Sequence, residues 1–126
     1  MTKFKSQCMN HTFKNARKGM RLVFKSERNI RIHFLVALSV IILAFYLKLN
    51  AIEFSIIFFA IGLVIVAEML NTAIEFTLDS IYHNRYSRMV GMAKDISAGA
   101  VMFATCISVL IGIFIFGSQI LSLVSK

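Results

Sequence analysis

The chain has 126 residues, 58% of them hydrophobic, with a mean hydropathy of +0.76, a net charge of +8, and neither proline nor tryptophan. Polar residues are too few to clothe a soluble domain of this length, so that class is excluded. The alternating polar and apolar positions of barrel strands are also missing, which leaves membrane-spanning helices.

The first predicted element is a helix over about residues 5–29. Met9, Phe13, Ala16, Met20 and Phe24 recur at spacings of three and four, while Lys14, Arg17, Lys18, Arg21, Lys25 and Arg28 occupy the other side. Such a basic amphipathic helix lies in the membrane interface. Its cations suit anionic headgroups and equally the phosphates of a nucleotide. A strip of charge pressed on a bilayer is a poor nucleic-acid surface, so no nucleic-acid partner is expected. Glu27 is the only acid of this segment, standing in KSERN just before the first span. It reads either as a salt-bridge partner or as half of a metal site with Glu75.

Three apolar blocks follow, each long enough to cross ~30 Å of hydrocarbon: about 30–48, about 52–81 and about 93–124, in one membrane domain over 1–126. Residues 1–31 hold nine of the fourteen Lys and Arg; the first connection has only Lys48, the second has Arg85, Arg88 and Lys94, and Lys126 ends the chain. The bias of cations toward the cytoplasm puts the N-terminus and second connection inside and the C-terminus outside. The first block is too long for a signal-peptide core, and no small-x-small cleavage site follows it. Cys8 and Cys106 fall at different depths, so no disulfide is expected. The Asn10-His11-Thr12 triplet sits on the cytoplasmic side, where glycosylation does not occur.

The second span carries the chemistry. Glu68, Asn71, Glu75 and Asp79 interrupt the run AEMLNTAIEFTLD, and Glu68 follows fourteen uncharged residues. At about 100° per residue the four fall in an arc of roughly 80°. Each carboxylate placed in hydrocarbon costs about 3 kcal/mol on insertion scales, so the arc should face a wet cavity, a cation or a protein partner. The plainer alternative is a helix that overruns the bilayer and ends in water.

The third span opens with AKDISAGAV. Asp95 can cap the helix start through its dipole. Ser97, Ala98, Gly99 and Ala100 are small on every side of one turn, which favours close helix packing and would hold the polar arc against Lys94 and Asp95. No Walker A loop, protein-kinase signature or HExxH spacing occurs. The residues alone give an intramembrane polar site open to the cytoplasm. A non-enzymatic, ion-coupled membrane protein would also place acids on one helix face, although it would continue them across the bilayer.

Glu68-Met-Leu-Asn71-Thr-Ala-Ile-Glu75, then Asp79, then Ala93-Lys94-Asp95 with small residues after it, resembles the signature of the prokaryotic diacylglycerol kinase family, over nearly the whole chain. These are small integral-membrane lipid kinases. The resemblance implies an all-α homotrimer, an interfacial helix plus three spans per subunit, with sites at the cytoplasmic boundary of the plasma membrane. It implies Glu68 as general base, Glu27 and Glu75 as ligands of Mg2+, and Asn71, Lys94 and Asp95 as ATP-binding or positioning groups. Around Glu27-Arg28-Asn29 and His33 the sequence is similar to the Gram-positive branch, whose members prefer undecaprenol; diacylglycerol is the alternative acceptor. Two departures bear on detail: Ala98 stands where Gram-negative members have Ser, and the chain is one residue longer between Asp79 and Lys94. Nucleotide contacts are therefore not carried across that loop.

Overall fold

The computed structural model describes residues 9–83 and 87–125. Cys8, Arg85 and Lys126, which entered the reading of charge and cysteines, lie outside these residues. The described chain is entirely helical: α1 (Met9–Ser26), α2 (Arg28–Tyr46), α3 (Ala51–Tyr82) and α4 (Arg88–Val124). The last three are each long and apolar enough to cross a membrane. At 1.5 Å per residue, α2 measures ~28 Å, matching the hydrocarbon, whereas α3 and α4 reach ~48 Å and ~55 Å and must project beyond it.

Each boundary has a local cause. Glu27 alone separates α1 from α2; its extended backbone (φ −107°, ψ 122°) turns the chain out of one helix into the next. Phe24 then stacks on Phe34 with ring centroids 4.4 Å apart, tying the end of α1 to α2. Met9 and Phe13 of the same apolar face stay exposed, as expected of a surface made for lipid. Between α2 and α3, Lys48 takes a left-handed conformation (φ 54°). Asn50 and Glu53 then close a reciprocal capping box at the start of α3. At the other connection, Ser87 caps α4 by accepting from the Val90 amide at 3.2 Å. The expectation that Asp95 caps this helix is overturned: α4 begins at Arg88, so Asp95 sits two turns inside it, beyond reach of the unpaired amides.

α3 is the central element, packing most extensively on α4 and next on α2. Buried residues recur at intervals of seven on α2 (Ile30, Ala37, Ala44) and on α4 (Val90, Ser97, Ala104). That is the period at which a straight seam stays against its neighbour. Four of these six are Ala or Ser, which lets the backbones approach closely where lipid gives no hydrophobic drive to association. Against them α3 buries Ile57, Ala60, Val64, Glu68 and Thr72. The acidic face of α3 therefore continues its packed face, and the polar residues enter the helix seam instead of facing lipid.

Candidate active site

Counted at 100° per residue, every charged or amide side chain of α3 (Glu53, Glu68, Asn71, Glu75 and Asp79) lies in one arc of about 80°. On α4 the residues turned toward that arc are Lys94, Ser97, Ser108 and Gln119, each of which bonds α3 across the seam. Toward the loop end, Lys94 Nζ donates to Asp79 Oδ1 at 2.6 Å, an ion pair whose side chains are 34% and 41% exposed. One turn deeper, the Ser97 hydroxyl donates to Asn71 Oδ1 at 2.6 Å. Asn71 Nδ2 in turn donates to Glu75 Oε1 at 3.2 Å.

Glu68 is set apart from these pairs. It is only 4% exposed, yet no hydrogen bond or ion pair reaches its carboxylate among the described residues; Thr72 bonds its backbone carbonyl instead, at 3.1 Å. No side-chain oxygen of the described residues is wholly sealed and unbonded, so the Glu68 oxygens keep a sliver of access. Holding a carboxylate in such surroundings without a partner costs several kcal/mol. That cost is not recovered among the described residues. Glu68 lies ~26 Å along α3 from Ala51, near the far edge of a ~30 Å hydrocarbon layer that starts with the helix; Glu75 and Asp79 lie ~36 and ~42 Å along, beyond it.

Glu27 approaches from α2. A small cleft is lined by Met20, Val23 and Phe24 of α1, Ile30 and Phe34 of α2 and Met69 of α3. Along the helix axes Glu27 lies ~5–10 Å from Ile30 and Phe34, and Glu75 ~9 Å from Met69, both toward the loop end, so the two stand at similar heights. Glu27 is half-buried and makes no capping hydrogen bond with its side chain. Among the described residues, no group of three or more metal-binding side chains is gathered. Asp95 behaves differently from its neighbour. It is exposed and lies about 160° around α4 from Ser97, so Lys94 joins the polar arc while Asp95 turns away from its own α3.

Sequence reasoning missed Ser97 as a polar participant, because it read the run 97–100 for its size alone. The signal was available: Ser97 is about 60° from Lys94 on the same helix, and it is the one residue of that run with a donor. The pairing of Glu53 with Gln119 was also missed, and nothing in the spacing of two residues on separate helices marks it.

One buried acid, two partly exposed ones, an asparagine and a lysine on one seam can accept a proton, hold a cation and offset phosphate charge. Comparison with known proteins identifies the chemistry. The sequence profile described as prokaryotic diacylglycerol kinase matches residues 14–116. The undecaprenol kinase of Bacillus subtilis is 40% identical over 105 residues, covering 83% of this chain and 85% of that protein. A diacylglycerol kinase of Synechocystis is 36% identical over 101 residues, 80% of this chain and 58% of its own length. The diacylglycerol kinase of Escherichia coli K12 is 31% identical over 93 residues, 74% of this chain and 75% of that protein. The chain belongs to the prokaryotic diacylglycerol kinase family and is an ATP-using lipid kinase of the membrane.

Proposed function

We propose that the chain transfers the γ-phosphate of ATP to the hydroxyl of undecaprenol, working as a homotrimer at the cytoplasmic face of the plasma membrane with its C-terminus outside. The observation that supports the mechanism is the Glu68 carboxylate, buried and without a partner among the described residues, which we place at the inner edge of the hydrocarbon. A lipid hydroxyl arriving from the bilayer meets it at that depth. As the hydroxyl oxygen bonds to phosphorus, its proton passes to Glu68 and the bond to the ADP oxygen breaks. A carboxylate already hydrogen-bonded by its own chain would be a weaker acceptor; the Glu68 carboxylate accepts nothing from the described residues. Lys94, held at the seam by Asp79, offsets charge on the phosphates, and Asp95, turned away from its own α3, would reach a nucleotide held between subunits of the trimer. Asn71 orients Glu75. Positioning and electrostatics supply most of the rate in such transfers.

Glu27 and Glu75 fit Mg2+: both are hard oxygen donors at similar heights, Glu27 without a capping bond and Glu75 with one oxygen occupied by Asn71. When bound there, Mg2+ would be held by these one or two carboxylates and would neutralise charge on the transferring group.

The choice of undecaprenol is supported by the similarity to the Bacillus subtilis enzyme over most of both chains and by the residues around Glu27 and His33. Diacylglycerol is the competing acceptor, favoured by the names of the other relatives. Equal mole fractions of both lipids in the same micelles, with products separated by chromatography, decide between them. The expected result is a kcat/KM at least about tenfold higher for undecaprenol, equivalent to ~1.4 kcal/mol in the transition state. Equal or reversed preference assigns the chain to diacylglycerol. No label from γ-phosphate in either lipid would defeat both and return the ion-coupled reading.

A further inference from the structure

We propose that Ser97 is a positioning residue for phosphoryl transfer: its hydroxyl fixes the Asn71 amide, and that amide aims Glu75 at the cation. The inference rests on the reading of Glu75 as a metal ligand and assigns a role to a residue that takes no part in that reading.

The direction of the relay follows from the donor inventory. Ser97 is 7% exposed, and its Oγ lies 2.6 Å from Asn71 Oδ1 and 2.9 Å from the Lys94 carbonyl. A hydroxyl has one proton and both neighbours are pure acceptors, so it serves one of them at a time. The Lys94 carbonyl lies in the body of α4 and has a backbone donor one turn ahead. The amide oxygen of Asn71 has no such alternative, and the contact to it is the shorter. Once Asn71 Oδ1 is held, Nδ2 must point the other way, where Glu75 Oε1 accepts at 3.2 Å. The reversed amide would set its oxygen against the carboxylate, acceptor to acceptor.

The consequence reaches Glu75. One of its oxygens is engaged and its side chain is held in a single orientation, with the second oxygen left for a cation. Partners of this kind, which hold a ligand without touching the metal, typically change metal affinity by ~10–100-fold when removed. Ser97→Ala deletes the proton and little volume. It lets the amide turn and lets Glu75 swing.

Ser108 provides a matched control. Its hydroxyl also crosses the seam, to the Ala60 carbonyl at 3.0 Å, about four turns of α3 away from Glu75. The test titrates Mn2+, as a spectroscopic substitute for Mg2+, into the purified protein with a non-hydrolysable ATP analogue, and reads bound metal by electron paramagnetic resonance. Ser97→Ala is expected to weaken Mn2+ binding by about tenfold, while kcat at saturating metal stays within about threefold of the parent. Ser108→Ala is expected to leave Mn2+ binding unchanged. Unchanged binding in Ser97→Ala, or an equal loss in Ser108→Ala, overturns the proposal, the latter because general loosening of the seam would then explain it. Glu75→Gln is measured beside them. If it weakens binding while Ser97→Ala does not, the relay alone fails; if Glu75→Gln has no effect, the metal reading fails and the relay with it.

Discussion

The two ends of the α3–α4 seam use the same materials for different purposes. At the end near Asn50, Glu53 accepts from Gln119 Nε2 with both oxygens, at 2.9 and 3.0 Å, and from the Asn50 amide at 3.0 Å. At the loop end, Glu68 is more deeply buried and accepts nothing from the described residues, while Glu75 has one oxygen engaged. A carboxylate with its lone pairs filled is part of the scaffold. One that is buried and left open holds its desolvation cost in reserve for a proton, a cation or a substrate. Burial is therefore a poor guide to function on this helix, and hydrogen-bond satisfaction is a good one.

That contrast can be broken most decisively at Glu68. Glu68→Gln preserves shape and removes the proton acceptor, so kcat should fall by ~10²–10⁴-fold while helical content and melting temperature stay close to the parent's. Retention of most activity would mean that an unfilled carboxylate at this depth is only structural. Glu27→Gln and Glu75→Gln should each raise the Mg2+ concentration needed for half-maximal activity by about tenfold or more, with part of the activity returning at high Mg2+ or with Mn2+. If neither shifts metal dependence, Glu27 is a neighbour of the basic helix and not a ligand.

Smaller effects sharpen the comparison. The Lys94–Asp79 pair is partly exposed, so Asp79→Asn should change stability by no more than ~1 kcal/mol. Its larger effect should be a raised KM for ATP, because Lys94 loses its anchor; a normal KM would show that Lys94 is positioned without it. At the opposite end, Gln119→Ala removes an interhelical bond of a kind worth ~0.6 kcal/mol on average and ~1.7 at most in membranes. A lower melting temperature in detergent with an unchanged kcat/KM is expected there. A kinetic defect would mean that the two ends of the seam are coupled.

The sequence by itself determined the number of spans, the polar arc and the asymmetry of charge, since each is a local or additive property. Twenty apolar residues make a span whatever surrounds them, and the angle between Glu68 and Glu75 follows from helix pitch alone. Motif spacing within α3 was legible for the same reason, as was the return of α4 at Ala93-Lys94-Asp95. Where α4 begins was misjudged because Ser87, a polar residue in a polar loop, gave no sign that it caps a helix starting at Arg88, well before the small-residue turn that opens at Ser97. Only the tertiary structure decided which partner each polar group receives. A helical wheel gives angle but neither the height of one helix against another nor its rotation about its own axis. Those two quantities are fixed here by the packing of α3 on α4 and on α2, along faces that bury Ala37 and Ala44 of α2, Ala104 of α4 and Ile57, Ala60 and Val64 of α3. That packing brings Ser97 to Asn71, Lys94 to Asp79 and Gln119 to Glu53, turns Asp95 outward, and leaves Glu68 without a partner among the described residues.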